Sequence, residues 1–232
     1  MSEPNVNAIT VSRSHLSLRT WVSMSMLTAI AYVVMYLSKM LPQVYGFLQF
    51  DLKDTVICVG GFIFGPLAAA IISIVVPVLE MLFASDTGPI GMIMNVLATA
   101  SFCCTAAFVY KKQHTKKGAI LGLSLGVATL TVVMLVWNYL ITPLYQGVPR
   151  EAVAAMLPTI FLPFNLVKGG LNMAVTLLLY KPVVTALRKA GLAPETQVSM
   201  QKTGRFNAGF ALFTIALLAT FVTIALVLMG IL

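Results

Sequence analysis

Apolar runs of about 20 residues recur along the whole of this chain, and a run of that length crosses a bilayer as a helix. Of its 232 residues 59% are hydrophobic and 9% charged, and the mean hydropathy is +0.95. A soluble core has no use for so much apolar surface. The chain therefore reads as an all-α polytopic membrane protein and not as a soluble domain with one anchor.

The formal charge of +8 raises nucleic acid as a partner, but the placement of the cations argues against it. Arg13 and Arg19 precede the first span, Lys111, Lys112, Lys116 and Lys117 share one short loop, and Lys181, Arg188, Lys189, Lys202 and Arg205 follow the sixth span, eleven of fifteen in all. With six spans between them, the three groups face one side, which the positive-inside rule makes the cytoplasm. Asp51, Asp54, Asp86 and Glu151 fall in loops assigned to the outside. The expectation is a multi-pass protein of the cell membrane with a cytoplasmic N-terminus, surrounded by lipid and binding no nucleic acid.

On this reading residues 1–19 are a cytoplasmic segment, 20–189 a six-span membrane domain, 190–205 a polar linker and 206–232 a seventh, C-terminal transmembrane helix. The spans fall near 20–41, 54–64, 67–84, a fourth ending near 110, 118–141 and 156–180, with Gly65-Pro66 breaking the second from the third. Ser25-x-x-x-Ala29 in the first span lets another helix approach closely, either inside the bundle or from a partner.

The sixth span carries the most informative residues. Lys168 is about two to three turns inside it, and an ammonium there costs roughly 2.5–3.5 kcal/mol. Asn165, Lys168 and Asn172 share one helical stripe, continued by Phe161 and Thr176, which reads as the wall of a polar pocket. Asn138, with Thr142 and Tyr145 on its face, Asn95 and Glu80 lie at a similar, outer depth on other spans. Asparagine amides offer paired donors and an acceptor, matching a heterocycle edge of alternating carbonyl and N–H groups. Glu80 has three equal readings: pairing with Lys168, holding ligand, or reaching the interface. The loop 43–54 alternates aromatic and polar residues around Gly46, so it is suited to cover a planar ligand or to anchor at headgroup level.

Enzyme motifs are missing. The sequence has no Gly-x-Gly-x-x-Gly fingerprint, Walker A loop or His-Glu-x-x-His, and its two histidines, His15 and His114, sit in polar segments. Cys58, Cys103 and Cys104 lie within spans without ligand-like spacing. No catalytic residue, metal or cofactor is expected, and any ATP-driven step belongs to another subunit.

The ordered set Phe50-Asp51-Leu52-x-Asp54, Gly60-Gly61-Phe62-Ile63-Phe64-Gly65-Pro66, Thr87-Gly88-Pro89-Ile90-Gly91 with Asn95, Trp137-Asn138-Tyr139 with Pro143-Leu144-Tyr145, and Leu162-Pro163-Phe164-Asn165-Leu166-Val167-Lys168-Gly169 covers about residues 20–189. In these stretches the chain resembles the riboflavin-specific substrate-binding (S) component of the energy-coupling factor (ECF) vitamin transporters. The resemblance implies a six-helix S-component bundle holding riboflavin near its outer face, with Asn138, Asn165 and Lys168 on the ring. It also implies Tyr45, Gly46, Phe47 and Leu48 in a covering loop, and Ser25 and Ala29 docking a membrane coupling (T) subunit that carries two cytoplasmic ATPases. Two features depart from the family pattern: Glu80-Met81 stands where many relatives carry Lys-Asn, and the span 206–232 is additional. The alternatives are an S component for another vitamin or heterocycle and a stand-alone ion-coupled secondary transporter.

Overall fold

The computed structural model describes residues 18–84, 87–192 and 208–232, the side chain of Arg188 excepted. Arg13, His15, Asp86, Lys202, Arg205, nearly all of segment 1–19 and most of linker 190–205 lie outside the described residues. In chain order the helices are α1 (Leu18–Ser38), α2 (Lys53–Phe64), α3 (Pro66–Phe83), α4 (Gly88–Lys112), α5 (Lys116–Gln146), α6 (Arg150–Met156), a π-helical turn (Leu157–Phe161), α7 (Leu162–Lys189) and α8 (Ala208–Leu228). Among the described residues six stretches are long and apolar enough to cross a membrane: α1, α3, α4, α5, the continuous run through α6 and α7, and α8. The molecule is an all-α, multi-pass membrane protein.

The exception, α2, has 12 residues and a length of roughly 18 Å, too short for a hydrocarbon core of about 30 Å. Its start is recessed. The loop after α1 dips into the bundle, so that Lys53, Asp54 and Thr55 at the N-terminus of α2 are buried. Asp51 and Asp54, expected in outer loops, are inside the protein, and Asp54 belongs to the first turn of α2. At the far end Phe62 stacks on Tyr110, ring centroids 4.4 Å apart, and meets Tyr180 edge-on. Gly65, at φ +93°, makes the break into α3, which starts on Pro66. Proline suits a first helical turn because its missing N–H has no partner there anyway.

Close helix approach depends on residues without side chains. A Cβ added to Gly122 or Gly126 of α5 would lie 2.7 Å from the Ala106 carbonyl oxygen or 2.8 Å from that of Phe102, both on α4. The main core, including Ile57, Ile72, Phe102, Leu123 and Leu130, fills the space these contacts define.

The sixth span is not one regular helix. Pro158 lies in the π turn and Pro163 just after it, and the Leu162 N–H reaches the Leu157 carbonyl. Proline removes a backbone donor from the ladder, and a π turn is one way to absorb the change in register. Phe161, Phe164, Asn165 and Lys168 all emerge from it buried.

The additional helix α8 packs on α7 across Gly170, where an added Cβ would come within 2.2 Å of the Phe221 ring. Its other end, with Ala225, Leu228 and Met229, joins a second apolar cluster with Val44, Leu48, Phe50, Phe164 and Val167. α8 and the loop that follows α1 thus share one apolar cluster with α7.

Replacing Gly126 by leucine is expected to lower the thermal midpoint in detergent, since overpacking against fixed backbone costs about 1–3 kcal/mol. An unchanged midpoint would show that α4 and α5 are not held at this distance by that contact.

Candidate functional site

Beneath the loop lies a cavity of about 110 Å³. Its roof is Gln43, Phe47, Leu48, Gln49, Phe50 and Asp51, and its walls are Met35, Ser38 and Lys39 from the α1 end, Glu80 from α3, Thr87, Met94, Asn95 and Ala98 from the start of α4, Met134 and Asn138 from α5, and Phe164, Asn165 and Lys168 from α7. The roof is folded by a tight turn. Val44 and Leu48 exchange both backbone hydrogen bonds, at 2.7 and 3.0 Å, around Tyr45 at φ +52° and Gly46 at φ +78°. Two successive positive φ angles define a type I′ turn, the form that folds an extended segment back on itself. Phe47 then meets Phe161 edge-on at 6.0 Å, and Phe50 lies 4.9 Å from Phe164.

Three lysines lie in or beside this cavity, and their partners differ. Lys39 forms an ion pair with Glu80 at 3.1 Å, and the Glu80 carboxylate also accepts from the Asn95 amide at 2.9 Å. Lys53 pairs with Asp51 and stands 3.8 Å from Asp54. Lys168 is 8% exposed, and among the described residues no carboxylate oxygen comes within ion-pairing distance of its ammonium. The three readings of Glu80 resolve into a fourth: it lines the cavity and is committed to Lys39 and Asn95. The pair on which an ion-coupled carrier would rest, Glu80 with Lys168, does not form.

Asp51 closes the cavity on one side. Burial alone would raise its pKa, but the ammonium groups of Lys53 and Lys168 outweigh that effect and hold the carboxyl below the usual carboxylate range. Among the described residues no ion pair ties this carboxylate to Lys168, which leaves the lysine's donors available to the cavity.

The amides are partly used. Asn138 donates to the Met134 carbonyl at 2.7 Å and accepts from the Thr142 hydroxyl at 3.0 Å. Asn165 donates to the Phe161 carbonyl at 2.8 Å, and among the described residues nothing donates to its Oδ1. Each amide is fixed in direction by its own helix and keeps hydrogen-bonding capacity for a guest.

Asn172, on the same stripe, does something else. Its Oδ1 accepts from the Thr55 N–H and hydroxyl, both at 3.0 Å, and its amide donates to the Asp51 carbonyl at 2.8 Å and the Lys168 carbonyl at 3.1 Å. Leu52 gives α2 no side-chain cap, so α7 caps the recessed helix in trans. Thr99 completes the join by donating to Asp54 at 2.8 Å.

Of the residues expected at the site, Asn138, Asn165, Lys168, Phe47, Leu48 and Asn95 line one cavity. Tyr45 and Gly46 form the turn beside it, and Tyr45 is exposed. Sequence reasoning missed Gln43 and Gln49, although the alternation of the loop contained them, and it missed Lys39, Met35, Met94 and Met134, which carry no signal in one sequence. Ser25 and Ala29 are exposed on α1, on the side opposite the buried Ser23, Met24, Leu27 and Ala31.

The family model for the substrate-specific component of ECF transporters matches residues 19–180. The chain belongs to this family. It is 33% identical over 174 residues to the riboflavin transporter RibU of Staphylococcus aureus, covering 72% of this chain and 92% of the relative. It is 31% identical over 181 residues to the riboflavin transporter FmnP of Bacillus subtilis, covering 73% and 95%. A solved S component of a bacterial ECF transporter superposes with a TM-score of 0.63 at 31% identity, covering 73% of this chain and 98% of that one. The family match ends at residue 180, within α7 and before α8.

Substituting Asn172 by alanine strands the Thr55 N–H and the Asp51 carbonyl, at about 1–3 kcal/mol for each buried group left unpaired. The ligand-free thermal midpoint is expected to fall well below that of Asn165→Ala, whose amide bonds only its own helix. Equal midpoints for the two variants would contradict the division between a joining residue and a cavity residue.

Proposed function

We propose that this chain is the riboflavin-binding S component of an ATP-driven ECF vitamin importer, capturing its substrate from the outer face of the cell membrane. The observation that carries this reading is the buried Lys168 ammonium, without an ion-pair partner among the described residues, beside Asn165 and Asn138 under an aromatic roof. The riboflavin-transporter relatives support the same ring system. In this reading Lys168 donates to a ring carbonyl, Asn138 and Asn165 meet the remaining polar edge, and Phe47 with Leu48 covers the ring.

The cavity of about 110 Å³ is small against the roughly 300–1,000 Å³ of sites for drug-sized ligands. Riboflavin therefore enters by displacing the roof, and reclosure excludes water and strengthens the polar contacts beneath it. Tyr45 and Gly46 act through the shape of the turn.

Energy is supplied from outside the chain. Two cytoplasmic ATPases on a membrane coupling subunit drive transport, and Ser25 with Ala29 offers that subunit a close approach on the outer face of α1. The lysine-rich loop between α4 and α5 and the N-terminus face the cytoplasm.

Titrating riboflavin with the purified protein is expected to quench the flavin's fluorescence at submicromolar concentration, and Asn165→Ala is expected to weaken binding about five- to a hundredfold, equivalent to about 1–3 kcal/mol. Absence of quenching by the unsubstituted chain would contradict the riboflavin reading. For docking, Ser25→Leu combined with Ala29→Leu is expected to leave riboflavin affinity unchanged while abolishing ATP-dependent uptake in vesicles containing the full transporter. Undiminished uptake would remove α1 as the docking surface.

A further inference from the structure

At the lysine-rich end, α4, α5, α7 and α8 enclose a second hollow of about 150 Å³, apolar over most of its lining but carrying Tyr110, His114, Lys116, Tyr180 and Lys181 beside Phe210. Lys116 and Lys181 both line this hollow. The Lys116 ammonium also sits 5.6 Å from the centre of the Phe210 ring. Among the described residues no carboxylate lines this hollow. Two ammonium groups held side by side repel, and an anion placed between them turns that repulsion into attraction.

A smaller hollow of about 50 Å³ runs on from the first, sharing Leu177, Lys181 and Phe210 with it and continuing between α7 and α8 along Leu178, Pro182 and Ala211. Its lining is mostly apolar. One wall is α8, the least buried of the membrane-spanning helices among the described residues. A cationic head site joined to an apolar groove between spanning helices is the form in which membrane proteins hold anionic lipid headgroups. α8 contributes Phe210 and Ala211, so the site depends on the helix that lies beyond the S-component family match.

We propose that Lys116 and Lys181 bind the phosphate of an anionic phospholipid whose acyl chain lies in the groove between α7 and α8. The two cations neutralise the phosphate at headgroup level, and the bound lipid fixes α8 against α7. The proposal concerns the opposite end of the bundle from the riboflavin site and stands independently of it.

The test is thermal unfolding of the full chain in neutral detergent with added phosphatidylglycerol, phosphatidylcholine or inorganic phosphate. Phosphatidylglycerol is expected to raise the midpoint by several degrees, while the other two leave it in place. Lys116→Gln combined with Lys181→Gln is expected to lose most of that rise and to keep riboflavin quenching at unchanged affinity. Equal shifts from both lipids, a full shift in the double variant, or the same shift from inorganic phosphate would overturn the proposal, the last by marking a free-anion site. If the double variant does not fold, native mass spectrometry of the unsubstituted chain in an equal mixture of the two lipids decides: preferential retention of phosphatidylglycerol supports the site, and equal retention overturns it.

Discussion

A cation held in a hydrocarbon setting sets the terms for this protein. Lys168 is buried at the wall of a cavity, and its nearest charges act on it through space and not through contact. Burying an ammonium without an ion pair costs several kcal/mol, so the lysine is a standing source of instability. The neighbouring lysines solve the same problem differently: Lys39 takes Glu80 and Lys53 takes Asp51. Those pairs consume the carboxylates around the cavity and leave Lys168 as the donor turned toward a guest.

The surrounding structure keeps that arrangement in place. Asn172 joins α7 to the start of α2 and to the end of the roof loop through three hydrogen bonds, and a fourth ties it to the Lys168 carbonyl of its own helix. One side chain thereby fixes the backbone of Lys168, the carbonyl of Asp51 and the recessed N-terminus of α2. The roof is attached more lightly, by a tight turn and by apolar contacts with Phe161 and Phe164. A firmly tied floor and a lightly held roof suit a site that must admit its ligand and then exclude water.

Much of this was legible in one sequence because hydrocarbon imposes length and charge rules that a local reading captures. The helices fall close to the apolar runs, and the i, i+3 relation of Asn165 and Lys168 survives into the cavity. Asn172 shared the stripe but not the role, since the sequence holds no sign that Thr55 and Asp51 would approach it from more than a hundred residues away. The depth of Asp54 was hidden for a related reason: a charged residue next to a loop reads as exposed unless its partners, Lys53 and Thr99, are known to meet it. The methionines of the cavity wall carry no pattern that separates them from ordinary lipid-facing or core positions.

The central claim is that Lys168 costs stability in the empty protein and is retained for what it binds. Its most direct test is the thermal midpoint of Lys168→Met measured with and without riboflavin. Replacing a buried charge by an apolar side chain of similar size is often neutral or stabilising by about 1–4 kcal/mol, so the ligand-free midpoint is expected to stay level or rise while the increase produced by riboflavin is lost. A lower ligand-free midpoint together with a full riboflavin-induced increase would show that the lysine serves the fold and not the ligand.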